Sequence, residues 1–334
     1  VILDALLLVS FGGPEGPDEV MPFLRNVTRG RGVPDTRLAT VAEHYYCYGG
    51  ASPINEQNRA LLSAISADFS RHGLAASLYW GNRNWRPYLA DAIAQMRDDG
   101  VHRAGAFVTS AYGGYSACRQ YLNDIEQACR KVGPNAPRIV KLPHYGRHEG
   151  FVTPHADALA QQLETIPAER RATTRVLFSA HSIPTASNER SGPTGGLYER
   201  QLRETARLVA QRAVATVCWE LVWQSRSGSP TTPWLEPDIN EYLAKLPAEG
   251  VTDVIVSPIG FVSDHLEVLW DLDTEAAATA KRLGLGFSRA ATPGTDFRFV
   301  AMVRELFVKA SALADPLPVT VETDCCATNC CRKG

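Results

Sequence analysis

No apolar stretch in this chain reaches the roughly 18 residues that a membrane-spanning helix needs. The leading segment VILDALLLVSFGG carries Asp4, has no basic stretch of the kind that opens a signal peptide, and closes in a glycine turn as a first core strand does. An excess of either charge is also missing. Lys and Arg number 34 against 36 Asp and Glu, net −2, so the clustered positive field that nucleic acid requires is lacking. Cysteine is sparse until the C-terminal end: Cys47, Cys118, Cys129 and Cys218 are scattered, as reduced thiols are in a cytosolic protein. These absences leave a cytosolic globular protein with no nucleic-acid partner and no transmembrane segment.

What is present is length and alternation. At 334 residues the chain exceeds one typical domain of about 150 residues. Short Val, Ile, Leu and Phe runs alternate with amphipathic stretches, the signature of βα units and a parallel sheet. ALLLVSFGG, AASLYWGNRN, RAGAFVTSAY and RIVKLPHY are the strands expected in the first half; TRVLFSAHS, TVCWELVWQS, TDVIVSPIGF and GFSRAATPG are those of the second. Helices are expected over 55–72, 87–99, 117–132, 196–213, 236–246 and 265–283. The fold class is therefore α/β, with two doubly wound domains carrying four-stranded parallel sheets. Their expected spans are 1–150 and 151–315, with a seam near 146–154 and a cysteine-rich tail over 316–334. A monomer follows from having no apolar stripe left over once both sheets are covered.

Ligands of doubly wound sheets bind beyond the C-terminal ends of the strands. Three second-half strands end in polar or aromatic residues there: SAHSIP at His181, the stretch from Trp223 to Trp234, and GFVSDHLE at Glu267. A parallel sheet brings His181 and Glu267 to one cleft. On an α-helix Glu267, Asp271 and Glu275 stack along one face, while Leu269, Leu272, Ala276, Ala280 and Leu283 take the other. The plain reading is a solvated face with Asp264 as a helix cap. Against it, no Lys or Arg falls between Asp264 and Ala280 to offset the like charges. A row of oxygen ligands suits a hydrated divalent ion moving in steps. His181 is either a structural imidazole or a metal ligand and proton acceptor, with Asp264 or His265 holding it in register.

With those residues assembled, the chain resembles the ferrochelatases, which insert ferrous iron into a porphyrin. The likeness runs from LLLVSFGGPE through GGASPI, FSAHSIP and ELVWQSRSG to SDHLEVLWDLD. It implies two Rossmann-like domains of the class II chelatase kind with the macrocycle held between them. His181 and Glu267 then face the porphyrin centre as catalytic residues and, with Asp271 and Glu275, as contacts for Fe2+, which is a substrate. Arg29 and Arg31 match the family's basic stretch, and Tyr45 and Ser52 match propionate-contacting positions. Phe11 stands where several bacterial members have an iron-ligating tyrosine. The compact, tailed chain is similar to actinobacterial members, which implies coproporphyrin III as the porphyrin. Protoporphyrin IX, another metal and tetrapyrrole, and a non-catalytic carrier remain open alternatives.

The end of the chain, DCCATNCC, places Cys325, Cys326, Cys330 and Cys331 together, a spacing that fits zinc knuckles poorly. Some ferrochelatases bind a [2Fe-2S] cluster near the C-terminus, and four thiolates are what it takes. These four are its expected ligands, with Cys118 or Cys129 as a substitute where adjacent cysteines fail to converge.

Overall fold

The computed structural model describes residues 3–213, 217–227, 231–312 and 331. The eight expected strands all form: β1 Ala5–Ser10, β2 Ser77–Asn82, β3 Arg103–Val108, β4 Arg138–Lys141, β5 Thr174–His181, β6 Cys218–Gln224, β7 Asp253–Ser257 and β8 Gly286–Arg289. They build two sheets of the same order, β2-β1-β3-β4 and β6-β5-β7-β8, and every neighbour is parallel. The central strands β1 and β7 are buried at every residue. That is why they read as unbroken apolar runs with no alternation.

Helices α1 Pro17–Val27, α2 Asp35–Cys47, α3 Ile54–Arg71, α4 Leu89–Asp98, α5 Gln120–Val132 and α6 Glu149–Thr165 accompany the first half. Helix α6 begins inside the expected seam, at Glu149, and packs against Leu197–Ala213 and the C-terminal helix Phe297–Ala312. These helices fill one core shared by both sheets, joining Leu6, Leu8 and Phe107 to Val176, Phe178 and Ile255. Phe151 and Phe299 sit in its middle, fully buried. Each such side chain contributes about 2–3 kcal/mol by leaving water. The Tyr112 hydroxyl donates to the Ile259 carbonyl at 2.7 Å, a bond from the first half to the second.

The helices Pro17–Val27, Asp35–Cys47, Glu149–Thr165 and Phe297–Ala312 were not expected, and two of the expected helices take another form. The span 236–246 is helical only over Ile239–Leu243, followed by a short 3₁₀ turn Leu246–Glu249, because Pro237 and Pro247 bracket it and cannot donate to a helix interior. The stretch 265–283 is not one α-helix. A single α turn, Leu266–Val268, opens into a π-helix over Leu269–Ala276 before α geometry returns at Ala277–Arg282. Leu272, Ala276 and Ala280 still face the core.

Both sheets reverse strand order beside their first strand, so crevices open between β1 and β3 and between β5 and β7 at the strands' C-terminal ends. At the first crevice the chain turns at Gly12, φ +82°, where a Cβ would lie 2.8 Å from the Asn82 side chain. Only glycine fits that turn. No helix among the described residues is long and apolar enough to cross a membrane.

Candidate active site

His181 is the last residue of β5, and its register partner on β6 is Gln224. Its Nδ1 lies 2.5 Å from the Ser182 carbonyl. A carbonyl only accepts, so Nδ1 carries the proton and Nε2 presents its lone pair to the cleft. Glu267 Oε2 is 3.7 Å from that Nε2, and its side chain is 52% exposed. An imidazole lone pair and an accessible carboxylate at this separation offer a metal two weak ligands, or two protons two acceptors.

His265 caps the turn that carries Glu267: its Nδ1 accepts from the Glu267 N–H at 3.2 Å. Burial pushes the His265 imidazole below its usual range, against the pull of the Glu267 charge. It is thus neutral and serves as a cap. Asp264 does not reach His181; Arg289 and Thr292 hold its carboxylate.

Five acids of this segment fall into two groups. Arg289 on β8 donates to both carboxylates of Asp264 and Asp273. The cation absent from the local sequence thus arrives from another strand, but for these two alone. Glu267 faces His181, Asp271 accepts from Gln224 Nε2 at 3.4 Å and from the Ser225 hydroxyl, and Glu275 accepts from the Trp270 indole at 2.9 Å. Among the described residues no Lys or Arg pairs with any of the three. Nor do three His, Cys, Asp or Glu side chains converge as a closed metal site there. Asp271 lies within electrostatic reach of Glu267, Glu275 and His181, so the three acids form one group beside the histidine. Ser225 is held at φ +60°, a left-handed conformation unusual outside glycine, to place its hydroxyl on Asp271.

Burial, with repulsion from Glu267 second, raises the Asp271 carboxyl to about 7. A folded-state value above the unfolded one stabilises the protonated protein, and that contribution is lost as pH rises from about 4 through 7. Iron-free Asp271→Asn protein should therefore melt at a higher temperature than the parent at pH 8. The gain should shrink as the pH is lowered toward 4. Equal melting temperatures across that range would show that the carboxylate is well solvated.

The other expected residues separate. Tyr45 is buried, edge-on to Phe23 at 6.0 Å, and its phenol is pushed well up by burial and by the Glu267 charge, which places it beside the pair. Phe11 is exposed at the mouth, 6.4 Å from Phe23, with the Arg83 guanidinium 6.0 Å from its ring. Arg29 and Arg31 are exposed in the turn after α1. Ser52 is buried, and its hydroxyl accepts from the Leu266 N–H at 3.3 Å, steadying the turn that carries Glu267. Gln224, Ser225 and Trp270 lie within the stretches that carry the family likeness but were given no role there, and Arg289 lies in none of them. Only their positions at strand ends or beside the acids could have pointed to them.

Cys325, Cys326 and Cys330 lie outside the described residues. Cys331 is buried, and its Sγ accepts from the Gly192 N–H at 3.4 Å and also from Gly114. Burial, with the neighbouring Cys118 thiol adding, pushes the Cys331 thiol up.

Two parallel sheets with a His and Glu pair and an acid row at the switch point define an enzyme of the metal chelatase class. Its fold is shared with the sirohydrochlorin chelatase SirB of Bacillus subtilis subspecies spizizenii in complex with cobalt, TM-score 0.53 at 11% identity, covering 92% of this chain and 94% of that one. SirB of Bacillus subtilis with Fe3+ gives 0.56 at 13%, covering 92% and 96%. The sequence relation is much closer to another group. The ferrochelatase family profile matches residues 3–311, and the chain belongs to that family. It is 53% identical over 318 residues to the coproporphyrin III ferrochelatase of Streptomyces coelicolor, covering 92% of this chain and 85% of that protein. With the coproporphyrin III ferrochelatase of Nocardia farcinica it shares 49% identity over 340 residues, covering 98% and 96%.

Proposed function

We propose that this ferrochelatase inserts ferrous iron into coproporphyrin III, releasing two protons and giving the iron porphyrin. The carrying observation is the pair His181 and Glu267, 3.7 Å apart beside acids that pair with no Lys or Arg among the described residues. Relatives named for coproporphyrin III at about half identity support the choice of porphyrin. The iron is received at Glu275 and passed along Asp271, each contact weak enough to release it. At the pair, the metal replaces two pyrrole protons, which leave to His181 Nε2 and the Glu267 carboxylate. No electron moves, so no redox cofactor is needed for the step.

Phe11 and Tyr45 would wall the macrocycle, and Arg29 and Arg31, exposed in the turn after α1, would meet propionates. Coproporphyrin carries four propionates against two on protoporphyrin, so cationic contacts beyond Arg29 and Arg31 would favour it. Anaerobic assays with ferrous iron and each porphyrin test this. A higher kcat/KM for coproporphyrin III is expected, and a preference for protoporphyrin IX would replace the substrate assignment while leaving the chelatase intact. A cytosolic monomer divided into domains at about residue 150 belongs to the same proposal, and sedimentation of the purified chain tests the monomer.

The chain's own thiols also fit a [2Fe-2S] cluster. Cys331 is a buried sulfur receiving backbone N–H groups from Gly192 and Gly114 beside the buried Cys118. The N–H groups favour a metal-bound thiolate, against the burial that holds the free thiol protonated. The set we propose is Cys331, Cys118 and two of Cys325, Cys326 and Cys330, with Cys118 standing in for one of the adjacent cysteines. When bound, the cluster supplies one-electron redox capacity, which iron insertion does not use. Cys118→Ser is expected to lose most of the visible absorption and acid-labile sulfide of anaerobically purified protein, and Cys129→Ser to keep both. Full cluster content in Cys118→Ser would return the assignment to the four tail cysteines.

A further inference from the structure

Residues 264–275 are gripped from the N-terminal half at four points. Gln57 Oε1 accepts from the Asp264 N–H at 2.8 Å, and Ser52 holds Leu266 as described. The Tyr48 hydroxyl, just past α2, lies 3.2 Å from the Leu269 carbonyl and 2.7 Å from Thr274 Oγ1. His44 on α2 stacks on the Trp270 ring with centroids 3.9 Å apart and planes at 9°. The last two contacts act on the π-helix itself.

Trp270 in turn donates its indole N–H to Glu275 Oε1 at 2.9 Å. The two residues are five apart. On an α-helix they would point roughly 140° away from each other, whereas the i to i+5 turn of a π-helix brings them toward one side. The π geometry, pinned by Tyr48, is therefore a condition for this bond. An indole N–H is neutral. It fixes the carboxylate's orientation without cancelling its charge, unlike the Arg289 guanidinium on Asp264 and Asp273, and among the described residues no hydrogen bond or ion pair engages Oε2, which can meet an incoming cation.

We propose that Trp270, seated by His44 and supported by Tyr48, is the positioning residue for Glu275, so that helix α2 governs metal uptake as well as the porphyrin side of the cleft. This rests on the acid row being the iron path. The test is anaerobic steady-state kinetics with iron and porphyrin varied separately. Trp270→Phe, which keeps the stacked ring but loses the N–H, is expected to raise the iron KM about 3- to 10-fold, with kcat and porphyrin KM within about twofold. In a Glu275→Gln background the same change should add less than about twofold, because both act through one carboxylate. His44→Ala should reproduce the Trp270→Phe phenotype, and His44→Phe, which retains a stacking ring, should restore the parent iron KM.

A full Trp270 effect that persists in Glu275→Gln would overturn the proposal, since it would not run through Glu275. So would an unchanged iron KM in Trp270→Phe when Glu275→Gln raises it. Should Glu275→Gln itself leave the iron KM unchanged, the acid row is no iron path and the proposal falls together with that premise.

Discussion

Replacing His181 by alanine is expected to lower iron insertion by about 10³-fold or more while leaving the affinity for coproporphyrin III within a few fold. The imidazole is held at one nitrogen by the Ser182 carbonyl, and its other nitrogen faces Glu267 at 3.7 Å. It is thus oriented for one act at the porphyrin centre and contributes little to the apolar walls that bind the ring. General base catalysis alone is commonly worth about 10²–10⁴. Loss of a metal contact in the same side chain adds to that. Anaerobic spectra following conversion of free-base porphyrin, with fluorescence titration for binding, check both halves. Insertion within tenfold of the parent would remove His181 from the reaction and leave it as a structural histidine.

How far the sequence foretold this site depends on whether the signal was local. The strands were legible because β1 and β7 are buried on both faces and therefore read as continuous apolar runs. The meeting of His181 with Glu267 followed from the rule that parallel strands present their C-terminal ends together. The row of acids was legible as a period near four, which survives in either helix type. The π turn was not legible, because nothing in LWDLDTEA distinguishes it; Tyr48 and His44, over 200 residues away in sequence, grip it. Helices α1 and α2 escaped because Pro, Gly and Arg-rich turns break up their pattern, and their small core closes only with Trp85 and Leu266. Cys118 as the neighbour of Cys331 is likewise a tertiary fact. Spacing within DCCATNCC could not name it.

Arg289→Met is expected to be the most damaging substitution outside the His181 and Glu267 pair, because its guanidinium alone separates two carboxylates. It donates to Asp264 at 3.1 Å through two nitrogens and to Asp273 at 2.7 and 2.9 Å, and its side chain is only 15% exposed. Breaking a buried ion pair by removing one partner costs about 3–5 kcal/mol. Since both aspartates keep some access to water, about 2–3 kcal/mol is the reasonable expectation here, read from denaturant unfolding of the iron-free protein. Asp264 leads into the turn carrying Glu267 and Asp273 lies within the π-helix, so the rate of insertion should fall as well. Two further comparisons separate charge from packing. The triple variant Arg289→Met, Asp264→Asn, Asp273→Asn should recover most of the lost stability, because it no longer leaves bare charges facing each other. Millimolar magnesium should stabilise Arg289→Met more than the parent, since two unpaired carboxylates then invite a divalent ion. A loss below about 0.5 kcal/mol in the single variant would mean that water already screens the aspartates. The arginine would then be dispensable for sorting the five acids into two that hold the fold and three left open to metal.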